Sequence, residues 1–311
     1  MLVKSLKVPP SILAFIAFCV FLGWTLSHGP GEEVSLGDSA GFRTQTEPPP
    51  LPPPEEHNDE PPPPPPEGEA EKDPESKGPR VALVTFITDE KSYIHISLKS
   101  KDHYARRHGY DLIVDYEAHT DRSITYWKFD MMERLLKKDK WDWIWWLDFD
   151  TLVTNTDIKV TDVIEETLKN ATNPDEVDYL VTHDCNGLNA GSFIVRGHER
   201  SIKFLQDIYH TADKEKEGQS EHDLSEQDAM AKLINDNEEA RSRTIQVPQW
   251  KLNAFPQEIA CFDESKKMWK HGDFVVHFAG AWAHIQDDDP TGLLMRKYQK
   301  EIIWGDWKTF Y

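Results

Sequence analysis

The sequence predicts an α/β domain with a mostly parallel central sheet over residues 80–311, and three observations predict it. Short apolar runs alternate with amphipathic stretches from Val81 onward, the order of a βαβαβ unit. One run, Trp143-Ile144-Trp145-Trp146-Leu147, is apolar at every position, which suits a strand covered on both faces. It ends in Asp148-Phe149-Asp150, and in open α/β sheets ligands gather at the carboxyl ends of strands.

The residues ahead of this domain read as three pieces. Residues 1–10 carry Lys4 and Lys7 and read as a cytosolic tail. Residues 11–27 are an apolar run near the lower length limit for a membrane-spanning helix. Leu26-Ser27-His28-Gly29-Pro30 is a poor cleavage site, so the run is expected to be a signal anchor rather than a removed signal peptide. Basic residues before it and acidic ones after it put the N-terminus in the cytosol and the domain in the lumen. Residues 28–79 hold Pro48–Pro50, Pro52–Pro54 and Pro61–Pro66 with Glu between them. Few apolar side chains are available there to offset the entropy of ordering, and proline runs extend stiffly, so a stem-like spacer is expected.

The charge is unevenly spread. Residues 31–79 contain 13 Asp or Glu and 3 Lys or Arg, a net of −10 out of −20 for the chain. An acidic chain with no basic stripe argues against nucleic-acid binding. Of three cysteines, Cys19 falls in the apolar run, which leaves Cys185 and Cys261 as either one bridge in a luminal domain or two free thiols.

Within the domain, residues 80–89 read as a first, central strand ending in a polar loop. Residues 94–108 read as a helix with Ile96, Leu98, His103 and Tyr104 near one face and Gly109 as its stop. A strand over 110–115 and a helix over 126–138 follow, the helix with Trp127, Phe129, Met132, Leu135 and Leu136 as its apolar stripe. The Trp-rich strand is third. No Gly-x-Gly-x-x-Gly or Walker loop is present, so a bound phosphate would need another partner. Asp148 and Asp150, two apart in extended chain, share a side and repel unless a cation lies between them; oxygen ligands favour Mn²⁺ or Mg²⁺. A turn-forming role is the competing explanation, and Asp287-Asp288-Asp289 shows how often such triplets arise in this composition.

Two later segments bear on the same chemistry. A strand over 178–183 leads into Asp184-Cys185-Asn186-Gly187-Leu188-Asn189-Ala190-Gly191-Ser192, read as a small-residue turn that lets backbone approach a polar ligand, before a strand over 193–196. Residues 274–280 read as a short strand ending in His277 and followed by a small-residue turn, the histidine being either a satisfied structural group or the imidazole that completes an Asp/His metal site. Residues 211–225 read as a polar loop, either a lid or a solvated connection. Asn170-Ala171-Thr172 is a glycosylation sequon usable in a luminal domain, and Trp304, Trp307 and Phe310 read as packing residues.

With Arg106-Arg107-His108-Gly109-Tyr110, Tyr126-Trp127-Lys128-Phe129, Trp143 to Asp150, Gly187 to Phe193, Glu226-Gln227-Asp228 and His277-Phe278-Ala279-Gly280 in this order, the chain resembles the fungal Golgi α-galactosyltransferase and mannan-polymerase-subunit family, glycosyltransferase family 34. The resemblance runs from about Val81 to Trp307. It implies a GT-A-type, Rossmann-like nucleotide-diphospho-sugar transferase fold and a retaining transfer of a hexose from UDP-galactose or GDP-mannose to a glycoprotein or oligosaccharide acceptor. It implies Asp148, Asp150 and His277 as the Mn²⁺ set, with Asp148 also toward the ribose, and Lys128, Asn189, Ala190 and Gly191 on the donor side. Glu226, Gln227 and Asp228, opening a helix over 225–233, are implied as the catalytic residues facing the reacting sugar. Ala281 stands where relatives often carry Cys, so a family disulfide at that position is not expected. The resemblance further implies a single-pass type II Golgi membrane protein, and leaves open homo- or hetero-oligomers with other glycosyltransferases. Two other classes remain in view: a non-catalytic subunit that keeps the fold to stabilise a partner transferase, and a metal-dependent glycan binder.

Overall fold

The computed structural model describes residues 78–217 and 223–311. The anchor read at 11–27 and the stem as far as residue 77 lie outside the described residues. Among the described residues no helix is long and apolar enough to cross a membrane.

Among the described residues eight strands form two sheets: β1 Val81–Phe86, β2 Asp111–Asp115, β3 Trp143–Leu147, β4 Thr151–Val153, β5 Tyr179–Asp184, β6 Gly187–Arg196, β7 Thr244–Gln246 and β8 Val275–His277. The main sheet runs β2-β1-β3-β6-β5-β7, and β4 pairs with β8 in a second, two-stranded sheet. The helices are α1 Ile94–His108, α2 Trp127–Leu136, α3 Val160–Lys169, α4 Glu199–Glu217, α5 Glu226–Asp236, α6 Glu238–Ser242, α7 Gln249–Leu252, α8 Ala281–His284 and α9 Pro290–Tyr298. The predicted βαβαβ opening is present: β2, β1 and β3 are parallel neighbours. β6 is antiparallel to both β3 and β5, and β7 is again parallel to β5. The sheet is therefore mostly parallel with one reversed strand.

β3 explains why its residues are all apolar. Alternate side chains of a strand face opposite sides. Ile144 and Trp146 enter a core built with α2, α4 and α5, among Phe129, Met132, Phe193, Leu205 and Met230. Trp143, Trp145 and Leu147 enter the other, with Tyr104 of α1, Ile164 of α3, Val247 and Leu252. Every residue of β3 is buried. A third core beneath β4 and β8 packs Leu152, Val276 and Phe278 against Phe255, Leu294 and Met295.

Five expectations are corrected. The central strands of the main sheet are β3 and β6, with β1 one place toward the edge. Most of the stretch expected as a small-residue turn is strand: β6 begins at Gly187, and Asn189 pairs opposite Thr182. Small side chains suit a tightly covered strand as well as a loop. Residues 211–217 continue α4 as helix, since Ile208 and Ala212 give it a buried stripe that local polarity conceals. The buried side of α1 is Ser97, Ser100, Lys101, His103, Tyr104 and Ala105, while Ile96 and Leu98 are only half-buried. Of the three aromatics expected to pack at the end of the chain, Trp304 and Phe310 stand edge-on to His103 at 4.8 and 4.9 Å, and Trp307 is exposed.

Candidate metal and nucleotide site

Asp148 ends β3, and its position is set by the strand that delivers it. Its amide donates to the carbonyl of Gly191 at 2.7 Å, extending the β3–β6 pairing by one residue. Its carboxylate accepts from the indole of Trp146 at 2.7 Å. Trp146 and Asp148 are two residues apart on one side of the chain, so a buried indole N–H finds its partner in the carboxylate it orients. The same carboxylate receives Lys128 Nζ at 3.3 Å.

The turn Asp148–Thr151 brings Asp150 round to β8. Thr151 pairs opposite His277, and the amide of Phe278 donates to the Asp150 carbonyl at 3.1 Å. His277 Nε2 thereby stands 3.2 Å from Asp150 Oδ1. One ligand atom each from Asp148, Asp150 and His277 lie within 4.8 Å of one another. Burial works to raise the Asp150 pKa, and the His277 imidazole beside it outweighs that, leaving the carboxyl below its ordinary value.

Beneath the acidic turn lies a cation that sequence reasoning missed. Lys101, buried in α1, donates to Ser97 Oγ and to the Thr151 carbonyl, both at 2.8 Å, and Ser97 Oγ donates to the Phe149 carbonyl at 2.5 Å. The pair binds the carbonyls either side of Asp150 and leaves its carboxylate facing His277. Burial pushes the Lys101 ammonium down to about 7, against the pull of Asp150 and Asp148. The polar Ser97/Lys101 pair in the first half of an otherwise amphipathic helix is the signal that was present in the sequence.

On the other side of the sheet Lys128 of α2 is buried and donates to Glu226 Oε1 at 2.9 Å and to the Ala190 carbonyl at 3.2 Å. Burial alone would lower its pKa; Asp148 and Glu226 together raise it. Glu226, at the start of α5, is itself buried and holds a carboxyl below the usual range, burial being outweighed by Lys128 and a hydrogen bond from Thr125. Glu226 is thus committed to an internal ion pair. Gln227 is half-buried, while Asp228 is exposed and takes a hydrogen bond from Ser225 Oγ at 2.6 Å, which also caps the helix.

The three β6 residues expected on the donor side are woven into this cluster. Asn189 Oδ1 accepts from the Gly191 amide at 2.9 Å, and its Nδ2 donates to Asp184 at 2.8 Å. Gly191 has no room for a side chain: a Cβ there would stand 2.2 Å from His277 Cε1. Asn253, fully buried after α7, was missed, and nothing in the local sequence marks it; it contacts His277 Nδ1 at 2.8 Å. Cys185 and Cys261 are joined in a disulfide, which resolves the alternatives the sequence left open. A second group of ligand-type atoms, Asp184 with those two cysteines, has its sulfurs consumed by that bond.

Two carboxylates and an imidazole are the donor set of a Mn²⁺-type site, and His277 Nε2 facing Asp150 is an arrangement that a shared cation stabilises. The residues present fit such an ion.

A covered, mostly parallel sheet with an Asp/Asp/His cluster at the end of a central strand defines the molecule as an α/β protein. A crystal structure of a glycosyltransferase involved in glycosylation of the major capsid of PBCV-1 superposes with a TM-score of 0.52 at 17% identity, over 70% of this chain and 100% of that one, a likeness of fold. The chain belongs to the galactosyl transferase GMA12/MNN10 family, whose model matches residues 79–173 and 164–288. It is 28% identical over 200 residues to the probable alpha-1,2-galactosyltransferase gmh1 of Schizosaccharomyces pombe, covering 56% of this chain and 57% of that protein. It is 30% identical over 228 residues to the probable alpha-1,6-mannosyltransferase MNN10 of Saccharomyces cerevisiae, covering 61% and 58%. The matches thus span under three-fifths of the length of these two relatives.

Proposed function

We propose that the chain is a retaining, Mn²⁺-dependent hexosyltransferase that moves galactose or mannose from UDP-galactose or GDP-mannose to a glycoprotein or oligosaccharide acceptor. The observation that carries this reading is the convergence of Asp148, Asp150 and His277 within 4.8 Å in a chain of this family. The relatives named as galactosyl- and mannosyltransferases support both candidate sugars. The Cys185–Cys261 disulfide supports an oxidising, luminal setting, in line with a type II Golgi membrane protein anchored by residues 11–27.

Asp148, Asp150 and His277 would hold the cation. When bound, it supplies neutralisation of the charge that builds on a departing nucleoside diphosphate. Lys128, cationic and held between Asp148 and Glu226, adds a fixed positive charge beside the same place without having to reorganise. The turn carrying the two aspartates is braced from below by Ser97 and Lys101, so their geometry is set before substrate arrives. Because Glu226 is tied to Lys128, the group free to face a developing oxocarbenium sugar on α5 is the half-buried Gln227 amide. An amide is a poor nucleophile. Retention therefore proceeds by attack of the acceptor hydroxyl on the face the nucleotide leaves, with the departing phosphate taking its proton.

The test is a thermal-shift screen of sugar nucleotides with and without Mn²⁺, because a ligand that binds only the folded state stabilises by mass action. One donor is expected to raise the melting temperature only when Mn²⁺ is present, and Asp150→Asn to remove the Mn²⁺-dependent part. An unchanged shift in that variant removes Asp150 from the site. A covalent glycosyl adduct trapped on Asp228 or Glu226 overturns the same-face mechanism.

A further inference from the structure

Four buried or half-buried polar side chains lie in a row behind His277, and the polarity of each link follows from the one before it. The Asp184 carboxylate accepts from Asn189 Nδ2 at 2.8 Å. Asn189 Oδ1 therefore faces the other way, where the backbone N–H of Gly191, which can only donate, meets it at 2.9 Å. Two independent partners thus fix that amide. Asn189 Oδ1 also accepts from Asn253 Nδ2 at 2.9 Å, and the same Nδ2 donates to Thr182 Oγ1 at 2.9 Å. With its nitrogen so committed, Asn253 presents its oxygen to His277 Nδ1 at 2.8 Å. An amide oxygen only accepts, so Nδ1 carries the ring proton.

Thr182, Asn253 and His277 are at most 2% exposed and Asn189 is 6% exposed, so water is not on hand to repair a misdirected link. Turning the Asn253 amide round would set its NH₂ against the ring and its oxygen against Asn189 Oδ1. Each buried group left unsatisfied costs about 1–3 kcal/mol.

We propose that Asn253 is a positioning residue: the relay Asp184–Asn189–Asn253 holds His277 in its Nδ1–H tautomer and so presents the Nε2 lone pair beside Asp150, as a metal ligand requires. The inference deepens the metal reading above and rests on it for its purpose, though the proton on Nδ1 is a property of the metal-free protein. Partners of this kind behind a ligating histidine fix ring orientation, and losing one typically weakens metal binding about 10–100-fold.

The experiment has two readouts. Nitrogen-15 NMR of the metal-free chain, with the His277 resonances assigned by a His277→Gln comparison, is expected to show a proton on Nδ1, whether or not the neighbouring Asp150 also holds one on Nε2; an Nδ1 without a proton overturns the proposal. Mn²⁺ affinity, followed by loss of the free-ion electron paramagnetic resonance signal, is then compared in Asn253→Leu and Asn253→Asp. The leucine removes the acceptor and is expected to weaken binding about 10–100-fold. The aspartate keeps an acceptor for Nδ1–H but sets its second oxygen against Asn189 Oδ1, so it is expected to restore part of that loss and not all of it. Equal affinity in wild type and Asn253→Leu, or equal losses in the two variants, overturns the proposal. Should the leucine variant not fold, the presence or absence of the Nδ1 proton in the wild-type ring still decides the matter. A wild-type chain with the Nδ1–H tautomer and no Mn²⁺ binding refutes the metal reading and leaves the relay standing.

Discussion

Gly191→Ala sets a methyl group where the imidazole of His277 now lies. The added Cβ would fall 2.2 Å from His277 Cε1, 2.8 Å from Nδ1 and 2.9 Å from Asn189 Oδ1. Carbon atoms in contact prefer about 3.5–4.0 Å, so the ring must retreat by more than about 1 Å. The backbone cannot yield instead, because the Gly191 carbonyl is pinned by the Asp148 amide at 2.7 Å in the middle of the sheet. Metal–ligand distances tolerate about 0.2 Å, so the displaced histidine ceases to be a ligand. Overpacking of this kind costs about 1–3 kcal/mol, which a domain of this size survives. At a Mn²⁺ concentration of about 100 times the wild-type dissociation constant, binding stabilises the wild type by about 2.7 kcal/mol. If the variant binds about 100-fold more weakly, the same concentration gives about 0.4 kcal/mol. At about 2–4 °C per kcal/mol, calorimetry should find a Mn²⁺-induced rise of about 5–10 °C in wild type and about 1 °C in the variant. A folded Gly191→Ala protein with the full rise would show that His277 does not ligate the ion and would refute the reasoning.

Three further outcomes follow from the same geometry. Glu226→Ala leaves Lys128 buried with one carboxylate fewer, and chemical denaturation should show a loss of about 3–5 kcal/mol, the usual cost of breaking a buried pair; a loss below about 1 kcal/mol would mean that solvent reaches the pair. Reduction of Cys185–Cys261, or Cys185→Ser, should cost about 2–4 kcal/mol, because the bond spans 76 residues and restricts the unfolded chain; mass spectrometry finding both thiols free in protein from an oxidising compartment would contradict the bridge. Burial lowers the His108 pKa below 6.5, the hydrogen bond to Thr156 notwithstanding. Below pH 6.5 the unfolded chain then binds more protons than the folded one, so this group's contribution is intact above that value and is lost as pH falls through the folded pKa. His108→Gln, which keeps a donor for the Thr156 carbonyl, should flatten that acid-side loss of stability in urea titrations; an unaltered slope would exclude His108 as its source.

How much of this was legible in the chain depends on the range of the interactions concerned. β3 announced itself because a strand covered on both faces must be apolar at each position, and Asp148 and Asp150 because the charge appears where that cover ends. The disulfide was visible as two residue types with their pairing undetermined, and His277 was tied to Asp148 and Asp150 only through the resemblance to the family. Lys101 and Asn253 were not visible as site residues: one lies on a helix whose apolar residues suggested a different buried face, and the other sits in a segment with no local pattern.

The sequence by itself determined the alternation of strands and helices, the acidic end of the third strand and the expectation of a cation there, since periodicity and charge act over a few residues. Only the tertiary structure decided that β6 runs against its neighbours, that Glu226 is spent on Lys128, and that His277, 127 positions along the chain from Asp150, stands 3.2 Å from its carboxylate. The reason is physical: burial, pairing register and the direction of a hydrogen bond belong to groups brought together by packing, and no stretch of chain encodes them alone.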